Sequence, residues 1–242
     1  MRLKDKVAII TGASRGIGAA VALGFAREGA ALALLGHHDQ AALRAVEAHA
    51  AALGAATLAD LVDVREAREV LRFVKTVEGK WGRIDILVNN AGIIRPSLFE
   101  EITETQWDET MAVHLKGTFH CTQAALPFMK RQKAGKIINV AAPSALRPSF
   151  GVSDYAAAKG GIIALTLNLS NELKPYNIQI NCVSPVADTR MTEAIGDFRR
   201  RQGIENQGPS RPVRPEAVTP AFVFFACSDS DYITGQILAI SR

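Results

Sequence analysis

The chain has 242 residues, 48% of them hydrophobic and 21% charged, with a net charge of +4. That length suits one large core in a single domain over residues 1–242. The slight basic excess, with no long basic run interleaved with aromatics, excludes nucleic acid as an expected partner. No apolar run is long enough to span a bilayer, and residues 1–10 carry no cleavage-site pattern. No His, Cys or Asp cluster has metal-ligand spacing, so no metal is expected. Cys121, Cys182 and Cys227 lie far apart in apolar segments and read as buried free thiols of a reducing compartment.

Residues 6–10 (KVAII) form a short β-branched run, expected as a buried strand. It runs into Gly12-Ala13-Ser14-Arg15-Gly16-Ile17-Gly18, and residues 19–28 are Ala-rich and helical, closed by Gly29. Glycines between a strand and a helix let the backbone approach a pyrophosphate, and the helix N-terminus offers free N–H groups and a positive dipole end. A plain strand-to-helix turn is the alternative. Residues 32–35 are the second strand, followed by Gly36-His37-His38-Asp39. A fold that prefers NAD usually has an acid at this strand end for the ribose hydroxyls. Gly36 instead leaves room for a 2′-phosphate, with Arg15 and His37 nearest to meet it. NADP(H) is therefore favoured over NAD(H). Asp39 is either a ribose acid or the cap of a helix that runs to Leu53.

Residues 56–61 are the third strand. Asp63-Val64 follows, and Asp63 either touches an adenine edge or caps a helix over 66–77. Residues 84–88 are the fourth strand, leading into Asn89-Asn90-Ala91-Gly92. Asparagines there form a turn or fix strand ends by bonding to backbone. A long amphipathic segment is expected over 105–129, then a strand over 136–141. Tyr155-Ala156-Ala157-Ala158-Lys159 opens a helix over 155–173. Residues 178–183 and 236–240 are the last strands, with a helix over 215–227 between them. This alternation predicts a doubly wound, Rossmann-type α/β fold of three layers. Its mostly parallel sheet has about seven strands, and ligands bind off their carboxyl ends. The four-residue spacing puts Tyr155 and Lys159 on one helix face. An ammonium beside a phenol favours the phenolate, so Lys159 is expected to lower the Tyr155 pKa. Tyr155 can then pass a proton to or from a substrate oxygen.

Thr11-Gly12-x-x-x-Gly16-x-Gly18, Asn89-Asn90-Ala91-Gly92 and Tyr155-x-x-x-Lys159, in this order and spacing, resemble the short-chain dehydrogenase/reductase family over nearly the whole chain. The resemblance implies a cytoplasmic homotetramer or homodimer. Such an enzyme moves hydride between a nicotinamide and a secondary alcohol or ketone, 3-hydroxyacyl and 3-oxoacyl thioesters among them. Tyr155 would be its general acid/base, and Lys159 would bind the nicotinamide ribose and tune Tyr155. The cofactor would lie across Gly12, Ser14, Arg15, Gly16, Ile17 and Gly18, with His37 nearby, and then along Asp63, Val64, Asn90, Ala91 and Gly92. Tyr155 and Lys159 would meet its ribose, and Pro185 and Thr189 would hold its nicotinamide end. Residues 190–214, rich in charge, Gly and Pro, correspond to a mobile substrate lid. Arg199, Arg200, Arg201, Arg211 and Arg214 there either bind a carboxylate, phosphate or CoA pyrophosphate or form a solvated face.

The chain departs from the family at four places. Ala142 stands where a serine usually binds the substrate oxygen, and losing one such donor typically costs on the order of 10²–10³ in rate. Ser144, two residues on, either points the same way or is an ordinary loop serine. His114 stands where an asparagine is usual. The family uses that residue's backbone carbonyl, so His114 is either a neutral replacement, a structural ring or a catalytic one. Relatives that act on 3-hydroxyacyl-CoA thioesters share Val113-His114-Leu115 and the pattern of Pro185, Ala187, Arg190 and Met191. The loop after the sixth strand lacks the usual Pro-Gly, and Ile240-Ser241-Arg242 ends the chain where the family continues through Asp-Gly-Gly. The expectation is an oxidoreductase weakened at Ala142. The other reading is a catalytically silent nucleotide-binding protein, acting as a sensor or oligomer partner. Ala142 argues for it, and the intact Tyr155 and Lys159 argue against it.

Overall fold

The opening β-branched run becomes β1 (Val7–Thr11), buried at every position, in a computed structural model that describes residues 1–204 and 213–240. The other strands are β2 (Ala31–Gly36), β3 (Thr57–Leu61), β4 (Ile86–Asn89), β5 (Gly135–Val140), β6 (Ile178–Pro185) and β7 (Ile237–Ile240). They form one sheet in the order β3-β2-β1-β4-β5-β6-β7, and every pairing is parallel. Side chains alternate across it. Ile10, Leu32 and Leu34 pack on one face with Phe25 and Phe222. Ile9, Leu35 and Leu87 pack on the other with Phe73 and Val74. Central strands buried on both faces read as continuous apolar runs rather than alternating ones.

The first face carries α1 (Gly16–Arg27), α2 (Gln40–Ala52) and α8 (Pro215–Ala226). The second carries α3 (Ala67–Trp81), α5 (Gly117–Gln132) and α6 (Ser153–Glu172). Strand order reverses between β1 and β4, which opens a crevice at their carboxyl ends.

The amphipathic segment over 105–129 is helical, divided into α4 (Glu104–Met111), a π-turn at Ala112–Lys116, and α5. An amphipathic pattern does not reveal one extra residue in a turn, and here the extra turn brings Gly117 against Val64. Part of the expected lid loop is a helix, α7 (Arg190–Arg201), started by a capping box between Thr189 and Thr192. All three cysteines are free and buried. Among the described residues no helix is long and apolar enough to cross a membrane.

Candidate active site

One cleft of about 1910 Å³ lies at the carboxyl ends of the strands, larger than a single drug-sized ligand requires. Its floor begins at the turn between β1 and α1. Gly12 has φ +65°, and a Cβ there would sit 2.9 Å from Ala91 Cα. A Cβ on Gly18 would run into the Gly12 carbonyl. Three stretches of backbone thus meet with no room for side chains. Asn90 ties them, its Nδ2 donating to the carbonyls of Thr11 at 3.0 Å and Gly12 at 3.2 Å. Thr11 Oγ1 accepts from the N–H groups of Asn90 and Ala91, both at 2.9 Å. Asn89 turns inward and donates to Asn139 Oδ1 at 2.8 Å. The asparagine pair therefore fixes strand ends. No side chain caps α1 and no acid lies in its first turn, which leaves its N–H groups and dipole for an anion. Gly12, Ser14, Arg15, Gly16 and Ile17 line the cleft here, and Gly18 lies behind them. The cradle fits the pyrophosphate of a dinucleotide.

At the end of β2, Asp39 does two jobs. Its Oδ1 accepts from Ala42 N–H at 2.9 Å, capping α2, and its Oδ2 meets Arg15 at 2.5 Å. His37 Nε2 lies 3.3 Å from Asp63 Oδ2, and the Arg65 guanidinium donates to both Asp63 oxygens. Burial pushes the Asp63 carboxyl up, but the Arg65 hydrogen bonds and the His37 charge outweigh it, and the group falls below its usual range. Asp63 caps no helix, since α3 starts without a side-chain cap. With Val64 it forms cleft wall.

Tyr155 and Lys159 share one face of α6. Tyr155 lines the cleft, and Lys159 lies behind it, buried, with Nζ 5.6 Å from the ring centroid. Lys159 donates to the Val140 carbonyl at 2.6 Å. Burial lowers its ammonium to about 8, opposed by Cys182. Burial also raises the Tyr155 phenol well above its ordinary value. The phenol is raised where a lowering by Lys159 was expected, because burial disfavours the phenolate. His114, in the π-turn, is 1% exposed and edge-on to Tyr155, with centroids 5.0 Å apart. Its Nε2 lies 2.7 Å from the Ile93 carbonyl, and its Nδ1 has no partner among the described residues. Burial depresses the imidazole to about 3, helped by Lys159 and opposed by the Ile93 carbonyl. The ring is therefore neutral. The His114 carbonyl accepts from Thr118 Oγ1 at 2.7 Å.

Ala142 leads into a 3-10 turn at Pro143–Ala145, and its methyl lines the cleft without a donor. Ser144 also lines the cleft, with Oγ buried and without a hydrogen-bond partner among the described residues. Pro185, ending β6, and Thr189, capping α7, form the opposite wall. From there α7 reaches across to residues 149–151. Phe198 stacks on Phe150 with centroids 6.1 Å apart, and Arg199 donates to Ser149 Oγ at 2.7 Å and to the Phe150 carbonyl at 3.3 Å. Arg199 is thus engaged by protein, and Arg200 pairs with Asp197. Arg201 and Arg214 are exposed, and Arg211 lies outside the described residues.

Several lining or supporting groups escape the sequence reading. The Val140 carbonyl has no residue-type signature. Thr11 was legible as a hydroxyl at a strand end beside glycines. Met191, Ile195 and Phe198 follow helical spacing, the available sign that the lid begins as a helix.

The family described as short chain dehydrogenase matches residues 6–200. A 3-oxoacyl-[acyl-carrier-protein] reductase FabG of Thermotoga maritima is 37% identical over 241 residues, covering 99% of this chain and 98% of the relative. The crystal structure of levodione reductase superposes with a TM-score of 0.92 at 30% identity, covering 99% of this chain and 97% of its own. An NAD⁺-bound xylitol dehydrogenase superposes at 0.91 with 27% identity, covering 100% and 99%. The chain belongs to the short-chain dehydrogenase/reductase family. It is an oxidoreductase of CH–OH and C=O groups that uses a nicotinamide cofactor.

Proposed function

We propose that this chain is an NADP(H)-dependent reductase of ketones, with 3-oxoacyl thioesters as its substrate class. In this reading residues 1–242 act as one domain, with 190–214 as the lid, in a cytoplasmic homodimer or homotetramer. The observation that carries it is Tyr155 backed by Lys159 in one cleft, between a glycine cradle and a helix laid across the other end. When bound, the nicotinamide supplies or accepts the hydride. Gly12 through Gly18 and the uncapped start of α1 hold the pyrophosphate. Asp63 and Val64 flank the adenine. Asn90 to Gly92, Pro185 and Thr189 flank the nicotinamide end, and Lys159 holds its ribose.

Burial keeps the Tyr155 phenol protonated at neutral pH, so Tyr155 gives its proton to the carbonyl oxygen in the reductive direction. His114, standing where the family has asparagine, is neutral and braces that ring. Ala142 offers the substrate oxygen nothing, which weakens the site on the order of 10²–10³ relative to one with that donor. Ser144 Oγ, unpartnered at the same wall, makes up part of this deficit. Support for NADP(H) is Gly36 at the end of β2 with Arg15 and His37 on the rim. A 2′-phosphate competes there with Asp39 for Arg15. Support for thioesters is the relative's printed substrate and an apolar wall of Ile93, Ile94, Val152, Met191 and Ile195.

The test is oxidation of NADPH and NADH with acetoacetyl-N-acetylcysteamine, a neutral 3-oxoacyl thioester, and with a simple ketone. We expect NADPH to be preferred by about tenfold or more, the worth of one or two charge-assisted hydrogen bonds. Tyr155→Phe should lose on the order of 10²–10⁴ in turnover. Ala142 favours the second reading, a silent nucleotide-binding protein. Tight NADPH binding without turnover on either substrate would establish that reading instead.

A further inference from the structure

We infer that Asp154 is a positioning residue that fixes Tyr155 in the cleft, through a ring of contacts closed by α4. The inference rests on Tyr155 as the proton donor. Asp154 precedes Tyr155 at the start of α6 and is 2% exposed. Its Oδ1 accepts from the Tyr155 N–H at 2.7 Å. An acid in the first turn suits the helix dipole, and that role needs only one oxygen. The other oxygen is turned to a different helix. Oδ2 accepts from Thr110 Oγ1 at 2.9 Å and from Gln106 Nε2 at 3.1 Å, both on α4. Gln106 Nε2 also donates to the Arg95 carbonyl at 2.9 Å. Two residues before Arg95, Ile93 holds the His114 ring, and that ring is edge-on to Tyr155.

The circuit runs Tyr155, Asp154, Gln106, Arg95, Ile93, His114 and back to Tyr155. It joins α6, α4, the wall after β4 and the π-turn. Arg95, Ile93, His114 and Tyr155 all line the cleft, so the circuit sets the phenol against the surface that a substrate meets. A buried carboxylate is disfavoured unless its lone pairs are bonded. An apolar side chain at this position would lose the acceptor for the Tyr155 N–H and the tie to α4 together. The carboxylate therefore serves placement. Displacing a reacting group by about 1 Å costs on the order of 10²-fold in rate.

Asp154→Asn tests this. Its Oδ1 still accepts from the Tyr155 N–H, but its amide meets the donors of Thr110 and Gln106. The Thr110 hydroxyl can turn to accept. Gln106 can accept only by flipping, which withdraws its N–H from Arg95, and the ring opens there. We expect kcat with acetoacetyl-N-acetylcysteamine to fall about ten- to hundredfold while the Kd of NADPH is unchanged. The isotope effect from NADPH deuterated at the transferred position should rise, because chemistry becomes the slow step. Gln106→Leu, which leaves Asp154 and Thr110 together, should show the same signature if Asp154→Asn does not fold.

A purely structural role would lower only the active fraction and leave the isotope effect unmoved, and that result overturns the proposal. Carbon-13 labelling at tyrosine Cζ adds a readout that needs no turnover, since the chain has only three tyrosines, Tyr155, Tyr176 and Tyr232. The Tyr155 resonance should shift or broaden in the variant while the other two stay. A Tyr155 resonance that does not move also overturns the proposal. Full turnover in Tyr155→Phe would instead remove the reading of the proton donor. Loss in Tyr155→Phe with none in Asp154→Asn would remove the positioning role alone.

Discussion

The glycine cradle at one end of the cleft is held together by close backbone contact, and the lid at the other end by side chains. At Gly12 and Gly18 main chains meet too closely for a Cβ, and the Asn90 side chain donates to two backbone carbonyls. At the other end α7 is fastened by Phe198 on Phe150 and by Arg199 on Ser149. The contrast teaches where each half can vary. A backbone surface accepts almost no substitution and suits a ligand that stays the same. A side-chain clasp can be rebuilt residue by residue, so substrate preference can change over an unchanged cofactor site.

The largest effect is expected at Gly18→Ala, where the new Cβ meets the Gly12 carbonyl. NADPH affinity, measured by fluorescence titration, should fall at least about 100-fold, the price of forcing two main chains apart. Binding within tenfold of the original would break the comparison, because the cradle would then have slack.

Lys159→Met comes next, with opposite signs for stability and rate. The folded pKa of about 8 lies below the ordinary lysine value of 10.5. The ammonium therefore destabilises the fold fully below about 8, and the penalty fades as pH rises towards 10.5. That difference corresponds to about 3 kcal/mol at neutral pH, offset in part by the bond to Val140. The variant should melt several degrees higher at pH 7, with the gain shrinking towards pH 10, while turnover falls. In the unaltered protein, reductive turnover should decline as pH passes about 8 and Lys159 loses its charge.

Phe198→Ala sharpens the contrast from the substrate side. Loosening the clasp should raise KM for the thioester about tenfold, as for loss of one aromatic contact, and leave the Kd of NADPH unchanged. A parallel loss of NADPH affinity would mean that the halves are coupled. The smallest effect concerns His114. With its imidazole pushed down to about 3 by burial, turnover should show no limb from this group between pH 5 and 7. A limb that disappears in His114→Asn would show that the ring titrates in the working range.

Strands and helices were legible because the sheet is buried on both faces and punctuated by glycines. The cleft residues were legible where chemistry demands a residue type, as at Gly12, Asn90, Tyr155 and Lys159. His114 was legible as a departure, but its place against Tyr155 depends on a π-turn that periodicity smooths over. The role of Lys159 in lowering the Tyr155 pKa was read from spacing and from the family resemblance. Burial works against it, because the desolvation that raises the phenol comes from tertiary packing that spacing does not show.

By itself the sequence determined the order of elements, the glycine cradle, and the shared face of Tyr155 and Lys159, all consequences of local backbone geometry. Only the tertiary structure decided that Asp39 pairs with Arg15, that Asp63 meets His37, that α7 lies across the cleft, and that Asp154 reaches α4. Each of these joins residues from different elements. Their meeting depends on how the helices pack on the sheet, and no local spacing in the chain encodes that distance.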